Sequence, residues 1–191
     1  MVDHRLYPVL ATGDAQPRHA RHGIVTLTEV PDLAIASLAQ RAGGRDALTA
    51  LSQELIDAPL PEPRRVAGSR GGVQMMWTGP DQWLVLAPFA THEDIAERLA
   101  KSAGGAASVT EQTDAWVCFA LEGAGCIALL ERLCRLDLAR MEAGMADRTG
   151  IEHMGCFVIC DAPGTAWRVL GARSSALSLW HALESVARGL S

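Results

Sequence analysis

Apolar residues crowd the stretch "VQMMWTGPDQWLVLA", Val73 to Ala87, and Gly79-Pro80-Asp81 interrupts them. Pro presets φ for a turn and Asp can bond its own backbone. The flanks "VQMMW" and "QWLVLA" read as strands, so the pattern predicts a hairpin. With the turn centred on Pro80, Trp77 lies opposite Trp83, Met75 opposite Val85, and Met76 opposite Leu84. The Trp pair is expected to add about 0.5–1.5 kcal/mol beyond its buried area. One face then carries Val73, Met75, Trp77, Trp83 and Val85. The other carries Met76, Leu84 and Leu86 and is equally apolar. A sheet with one wet face alternates apolar and polar residues, so this hairpin is expected to be covered on both sides. Either the rest of the chain or a partner protein supplies the second cover, and Met76, Leu84 and Leu86 are the candidate partner contact.

The same pattern returns later in the chain. Displaced by 84 positions, "GPDQWLVLA" falls on "PGTAWRVLG", with Trp83 on Trp167, Val85 on Val169 and Leu86 on Leu170. Val73 and Met75 fall on Phe157 and Ile159. Ile95 and Leu99 fall on Leu179 and Leu183, a helical i, i+4 pair. At a slightly shorter offset Leu48, Leu51 and Leu55 match Cys126, Leu129 and Leu133, and the apolar stretches "LAIASL" and "AWVCFAL" precede these helices. The chain thus reads strand-helix-strand-strand-helix twice, an α+β duplication with two mixed sheets and a pseudo-twofold. Residues 24–103 form the first copy and 104–191 the second, in one compact domain, with residues 1–23 as an irregular arm. "APLPEPRRVAGSRGG" and "RMEAGMADRTG" read as connections without strands. Ala124 to Arg135 reads as the best helix, with Cys126, Leu129, Leu130, Leu133 and Cys134 on one face. Arg168, standing where Leu84 does, suggests a more ordinary face in the second hairpin.

Composition narrows the function classes. The chain has 191 residues, is 49% hydrophobic and carries a net charge of −5. No apolar run approaches the length of a membrane span. No basic leader precedes an apolar stretch, so no signal peptide is expected. Five Cys without disulfide-like spacing suit a reducing cytoplasm. The Arg residues are scattered, without a basic stripe bearing aromatics, which argues against a nucleic-acid partner.

The candidate chemistry is sparse. "EGAGCIA", Glu122 to Ala128, fits G-x-G-x-x-A between a strand and a helix. The second strand and acidic residue of a dinucleotide site do not follow it, so Gly123 and Gly125 read as a tight strand-to-helix turn. Cys118, Cys126 and Cys134 sit among apolar residues as core thiols. His153, Cys156 and Cys160 lack zinc spacing, and His153 points away from the other two on a strand. His4, His19 and His22, with Arg18 and Arg21, lie in the arm as a solvated set. Ser174, Ser175 and His181 lack triad context, and one of the two Ser reads as a helix N-cap. Glu93, Asp94 and Glu97 read as an acidic helix start. No active centre emerges.

Taken in order, "WTGPDQWLVL", "VTEQTDAWVCFALEG", "LLERLCRLDL", "RTGIEHMGCFVI" and "RSSALSLWHAL" resemble the gamma subunit of heterotetrameric sarcosine oxidase. The resemblance runs from about Val25 to the C-terminus, and Leu60-Pro61 also fits the end of that family's first helix. These are fold signatures more than site signatures. The resemblance implies an aminomethyltransferase-like fold and a non-catalytic subunit of a complex that oxidatively demethylates sarcosine to glycine. That chemistry yields hydrogen peroxide and either formaldehyde or methylenetetrahydrofolate. It implies alpha, beta and delta subunits as partners, with alpha the direct contact. NAD and the tetrahydrofolate site belong to alpha, FAD and FMN to beta, and zinc to delta, leaving no cofactor in this chain. The K-G-C-x-x-G-Q motif of the related iron–sulfur maintenance protein is absent, since Lys101 is the single Lys and Ser follows it. The catalytic Asp of the aminomethyltransferase has no motif here to receive it. Two other classes stand beside this one: a stand-alone folate-binding module, for which Glu111 and Asp114 are the available acids, and a stand-alone enzyme.

Overall fold

The computed structural model describes residues 6–10, 16–69 and 71–190. In chain order the elements are β1 (His19–His22), β2 (Val25–Glu29), β3 (Leu33–Gln40), α1 (Arg45–Ile56), β4 (Val66–Gly68), β5 (Gln74–Gly79), β6 (Gln82–Pro88), α2 (Phe89–His92), α3 (Ile95–Ala103), β7 (Ala107–Glu111), β8 (Trp116–Glu122), α4 (Cys126–Glu131), β9 (Met145–Ile151), β10 (Met154–Ala162), β11 (Ala166–Ala172) and α5 (Ala176–Arg188). The chain divides into two units rather than one compact domain. Asp32–Asp114 lie in one, and Leu6–Pro31 with Ala115–Ser191 form the other.

The first unit has a sheet ordered β4-β5-β6-β3-β7, and the second a sheet ordered β1-β2-β8-β11-β10-β9. Every pairing in both is antiparallel, which corrects the expectation of mixed sheets. After β3 and after β8 the helical connection carries the chain past two strand positions, to β4 or β9. The next two strands return antiparallel and fill them, the last, β6 or β11, lying beside β3 or β8.

The duplication is visible as one strand order inside the other, β4-β5-β6-β3-β7 against β9-β10-β11-β8-β2. Its boundaries differ from 24–103 and 104–191, because the two copies exchange their first strands. β2, "VTLTE", opens the first copy but pairs with β8 in the second unit. β7, "ASVTE", opens the second copy but pairs with β3 in the first. The arm also holds structure, since β1 pairs with β2 from His19↔Thr28 to His22↔Val25.

The hairpin register matches the sequence reading: Met75↔Val85, Met76↔Leu84 and Trp77↔Trp83, with Asp81 at φ 56 closing a two-residue turn. The Trp pair makes no ring contact; Trp83 Nε1 instead donates to the Pro61 carbonyl at 3.0 Å. The second hairpin pairs Val158↔Val169, Cys160↔Trp167 and Ala162↔Ala166 around a three-residue loop. That extra residue shifts the upstream match by one position. Met75 corresponds to core-facing Val158, not to Ile159, because a slip of one residue reverses the face of a strand.

The first core holds Leu38, Leu48, Leu51, Met75, Trp83, Val85 and Leu99. The second holds Phe119, Leu121, Leu129, Trp167, Val169, Trp180 and Leu183. Helix α4 is shorter than the pattern predicted. Its buried face is as expected, but Arg132 N bonds Leu129 O and Leu133 N bonds Leu130 O, tightening the last turn and ending the helix. Strands β4 and β9 occupy the two segments read as connections. Both are edge strands rich in Gly, Arg or Asp, so they lack a β-like composition.

Candidate functional site

The glycines of "EGAGCIA" face the chain itself. Gly125 N donates to Ile24 O at 3.3 Å, and a Cβ on Gly123 would lie 2.1 Å from that oxygen. The first unit repeats the device at its own strand-to-helix turn. Arg41 N donates to Ala106 O at 2.8 Å, and a Cβ on Gly44 would lie 2.2 Å from that oxygen. Ile24 and Ala106 immediately precede the exchanged strands β2 and β7. The glycines therefore admit an exchanged strand where a nucleotide fingerprint would admit a pyrophosphate.

Met76, Leu84 and Leu86 are 0%, 4% and 1% exposed. Both faces of the first hairpin are thus buried within this chain. The partner contact expected through these three side chains has no free surface on which to form.

Three polar arrangements stand out in the second unit. Glu29, at the end of β2, is buried and accepts backbone N–H groups from Val9, Leu10 and Arg18, tying the arm to the sheet. Glu184 on α5 forms the second. It accepts from Trp180 Nε1 at 3.0 Å, Arg188 at 3.0 Å and His22 Nε2 at 3.3 Å. Arg18 stands 3.8 Å away and lies over the Trp180 ring. Burial pushes the Glu184 carboxyl up, but the hydrogen bonds from Arg188, His22 and Trp180 outweigh it and hold the group below the ordinary value. The third is Arg168, whose Nε and terminal nitrogen each bond Asp161 at 2.8 Å. This pair is buried, with side chains 6% and 7% exposed. Arg168 therefore marks an internal ion pair and not a wet face. Asp161, seven residues upstream across the hairpin, was the available signal.

The remaining candidates do not converge. Burial pushes the thiols of Cys126, Cys156 and Cys160 up to about 11 and raises that of Cys134. They are protonated core side chains at neutral pH, and Cys118 is buried with them. His153 sits at φ 70 in the exposed β9–β10 turn. No group of three His, Cys, Asp or Glu is arranged to hold a metal among the described residues. His19 bonds Thr28, His22 bonds Glu184, and His4 lies outside the described residues. Ser175 occupies the N-cap position of α5 but makes no side-chain cap bond. Asp94 precedes α3 at its acidic start and pairs with Arg98 at 2.7 Å, both side chains remaining exposed. Glu111 and Asp114 are exposed, and Glu111 folds back on Thr113 N at 2.9 Å. Neither supplies the buried carboxylate that a folate pocket requires. The first unit holds a cavity of about 40 Å³ lined by Leu55, Val73, Val85, Ile95 and Leu99, space for little more than a water. Among the described residues no helix is long and apolar enough to cross a membrane.

The chain has an aminomethyltransferase-like α+β fold. Among solved structures it shares its fold with a chain of the heterotetrameric sarcosine oxidase from Corynebacterium sp. U-96, determined with pyrrole 2-carboxylate. That match has a TM-score of 0.77 and 24% identity and covers 88% of this chain and 86% of that one. The glycine cleavage system aminomethyltransferase T from Bartonella henselae follows, with a TM-score of 0.63 and 14% identity, covering 87% of this chain and 47% of that one. No protein-family profile and no curated protein sequence matches the chain.

Proposed function

We propose that this chain is the small gamma-type subunit of a heterotetrameric sarcosine oxidase complex, without an active centre of its own. In this reading it docks with alpha, beta and delta subunits, alpha being the direct contact. The complex oxidatively demethylates sarcosine to glycine, with hydrogen peroxide and either formaldehyde or methylenetetrahydrofolate as the other products. FAD, FMN, NAD, zinc and tetrahydrofolate belong to the other subunits. Five buried thiols without a disulfide fit a cytoplasmic setting.

One observation carries the reading. The fold match to the sarcosine oxidase chain runs nearly end to end in both proteins, while the same chain spans about half of the aminomethyltransferase. The ordered sequence signatures support the same assignment, and the engaged carboxylates and protonated thiols fit a structural role. The test is co-expression with the products of neighbouring genes, followed by size exclusion and an absorbance scan near 450 nm, about where flavins absorb. Elution inside a yellow complex, with a colourless chain when purified alone, is the expected result. A chain that stays apart and retains folate is instead a stand-alone folate-binding module.

A further inference from the structure

Arg148 belongs to "RMEAGMADRTG", the segment whose sequence reads as a connection without a strand. It lies on β9 opposite Phe157 of β10, on the sheet face turned away from the second core. Its guanidinium carbon stands 5.9 Å from the centre of the Phe157 ring. Trp116 packs on the same ring, at 5.7 Å between centroids. The next cross-strand pair is Gly155↔Gly150. A Cβ on Gly150 would meet nothing, and one on Gly155 would meet only the Arg148 guanidinium, at 3.8 Å. The floor beside Arg148 is therefore open, and Arg148, Gly150 and Gly155 are exposed.

The guanidinium is positioned but unneutralised. No carboxylate pairs with it among the described residues. Asp147 alternates to the opposite face of β9, and its carboxylate accepts from the backbone N–H of Arg148 at 2.9 Å. An Arg whose planar fork rests on an aromatic ring has lost part of its freedom before any ligand arrives, and the fork matches a carboxylate. Arg148, Gly150 and Gly155 are all exposed, whereas a small-molecule site buries most of its ligand. An exposed Arg held over a buried aromatic ring suits a protein interface.

We propose that Arg148, backed by Phe157 and Trp116 above the Gly150–Gly155 floor, anchors a protein interface and receives an Asp or Glu carboxylate from a partner subunit. The inference rests on the subunit reading above and gives the chemistry of one contact in it.

The test measures affinity between the purified chain and the remainder of the co-expressed complex, for wild type, Arg148→Ala, Arg148→Lys and the exposed control Arg140→Ala. Arg148→Ala is expected to weaken assembly about tenfold or more, with its thermal midpoint unchanged. Arg148→Lys should fall between, since it keeps the charge and loses the fork. Arg140→Ala should assemble as wild type. If Arg148→Ala assembles undiminished, this inference fails and the subunit reading stands. If the wild-type chain assembles with nothing, both fail.

Discussion

The two units share one strand order and fill it differently. Register places Ala36 of β3 where Phe119 of β8 stands, since each lies opposite the terminal Glu of its exchanged strand. Ala96 of α3 stands where Trp180 does on α5. The first unit thus seats its last helix on small residues, including Ala36, Ala96, Ala103 and Ala107. The second uses Phe119 and Trp180, packed edge to face at 5.4 Å. A second contrast lies in the paired tryptophans. Trp83 donates its N–H to Pro61 O, whereas buried Trp167 donates to no acceptor among the described residues. A third is Arg168, held by Asp161 where the first unit has Leu84. One topology therefore tolerates an alanine seam or an aromatic one, and an apolar pair or an ionic one. What both units keep is the glycine that admits the exchanged strand.

Substitutions can break or sharpen these contrasts. Trp180→Ala should have the largest effect, about 3–5 kcal/mol in urea unfolding at neutral pH. It opens a void where the first unit closes the gap with other small residues, and it removes a donor from Glu184. Arg168→Met should cost about 3–5 kcal/mol by stranding a buried carboxylate. Adding Asp161→Leu should recover most of that loss, since Leu84 already shows the apolar solution; a double variant as unstable as the single one would refute the equivalence. Gly44→Ala should cost about 1–3 kcal/mol by overpacking against Ala106 O. Trp83→Phe leaves the Pro61 carbonyl unpaired and should cost about 1–3 kcal/mol. Trp167→Phe loses no hydrogen bond and should cost less, so equal losses would remove the distinction.

The smallest effect concerns pH. The carboxyl of Glu184 is held below its ordinary value in the folded chain. Its contribution is therefore complete above the unfolded Glu range, about pH 4.3. It is lost as pH falls through the lowered folded value. Glu184→Gln should flatten this part of the acid limb in a series of urea midpoints, with Arg18, His22 and Arg188 still present.

The hairpins were legible because turn chemistry and apolar strands agree there, and this fixed the register of Trp77 and Trp83. The exchange of β2 and β7 was not legible: a repeat compares residues with their copies, not strands with their neighbours. Strands β1, β4 and β9 escaped because backbone pairing at an edge needs little apolar sequence. The one-residue offset between Met75 and Val158 was hidden by the loop that causes it. Among candidate sites, sequence correctly read Gly123 and Gly125 as a turn but could not name what approaches them. It also chose Met76, Leu84 and Leu86 as an interface because apolar residues on both faces look alike whether chain or partner covers them. Arg148 gave no signal until its neighbours across the sheet were known.

The most direct test of the central claim is oxygen uptake with sarcosine, measured on the purified chain and on the co-expressed complex that contains it. Uptake by the complex and none by the chain alone is the expected result. Uptake by the isolated chain, or a sarcosine-oxidising complex that assembles and elutes without it, would contradict the claim.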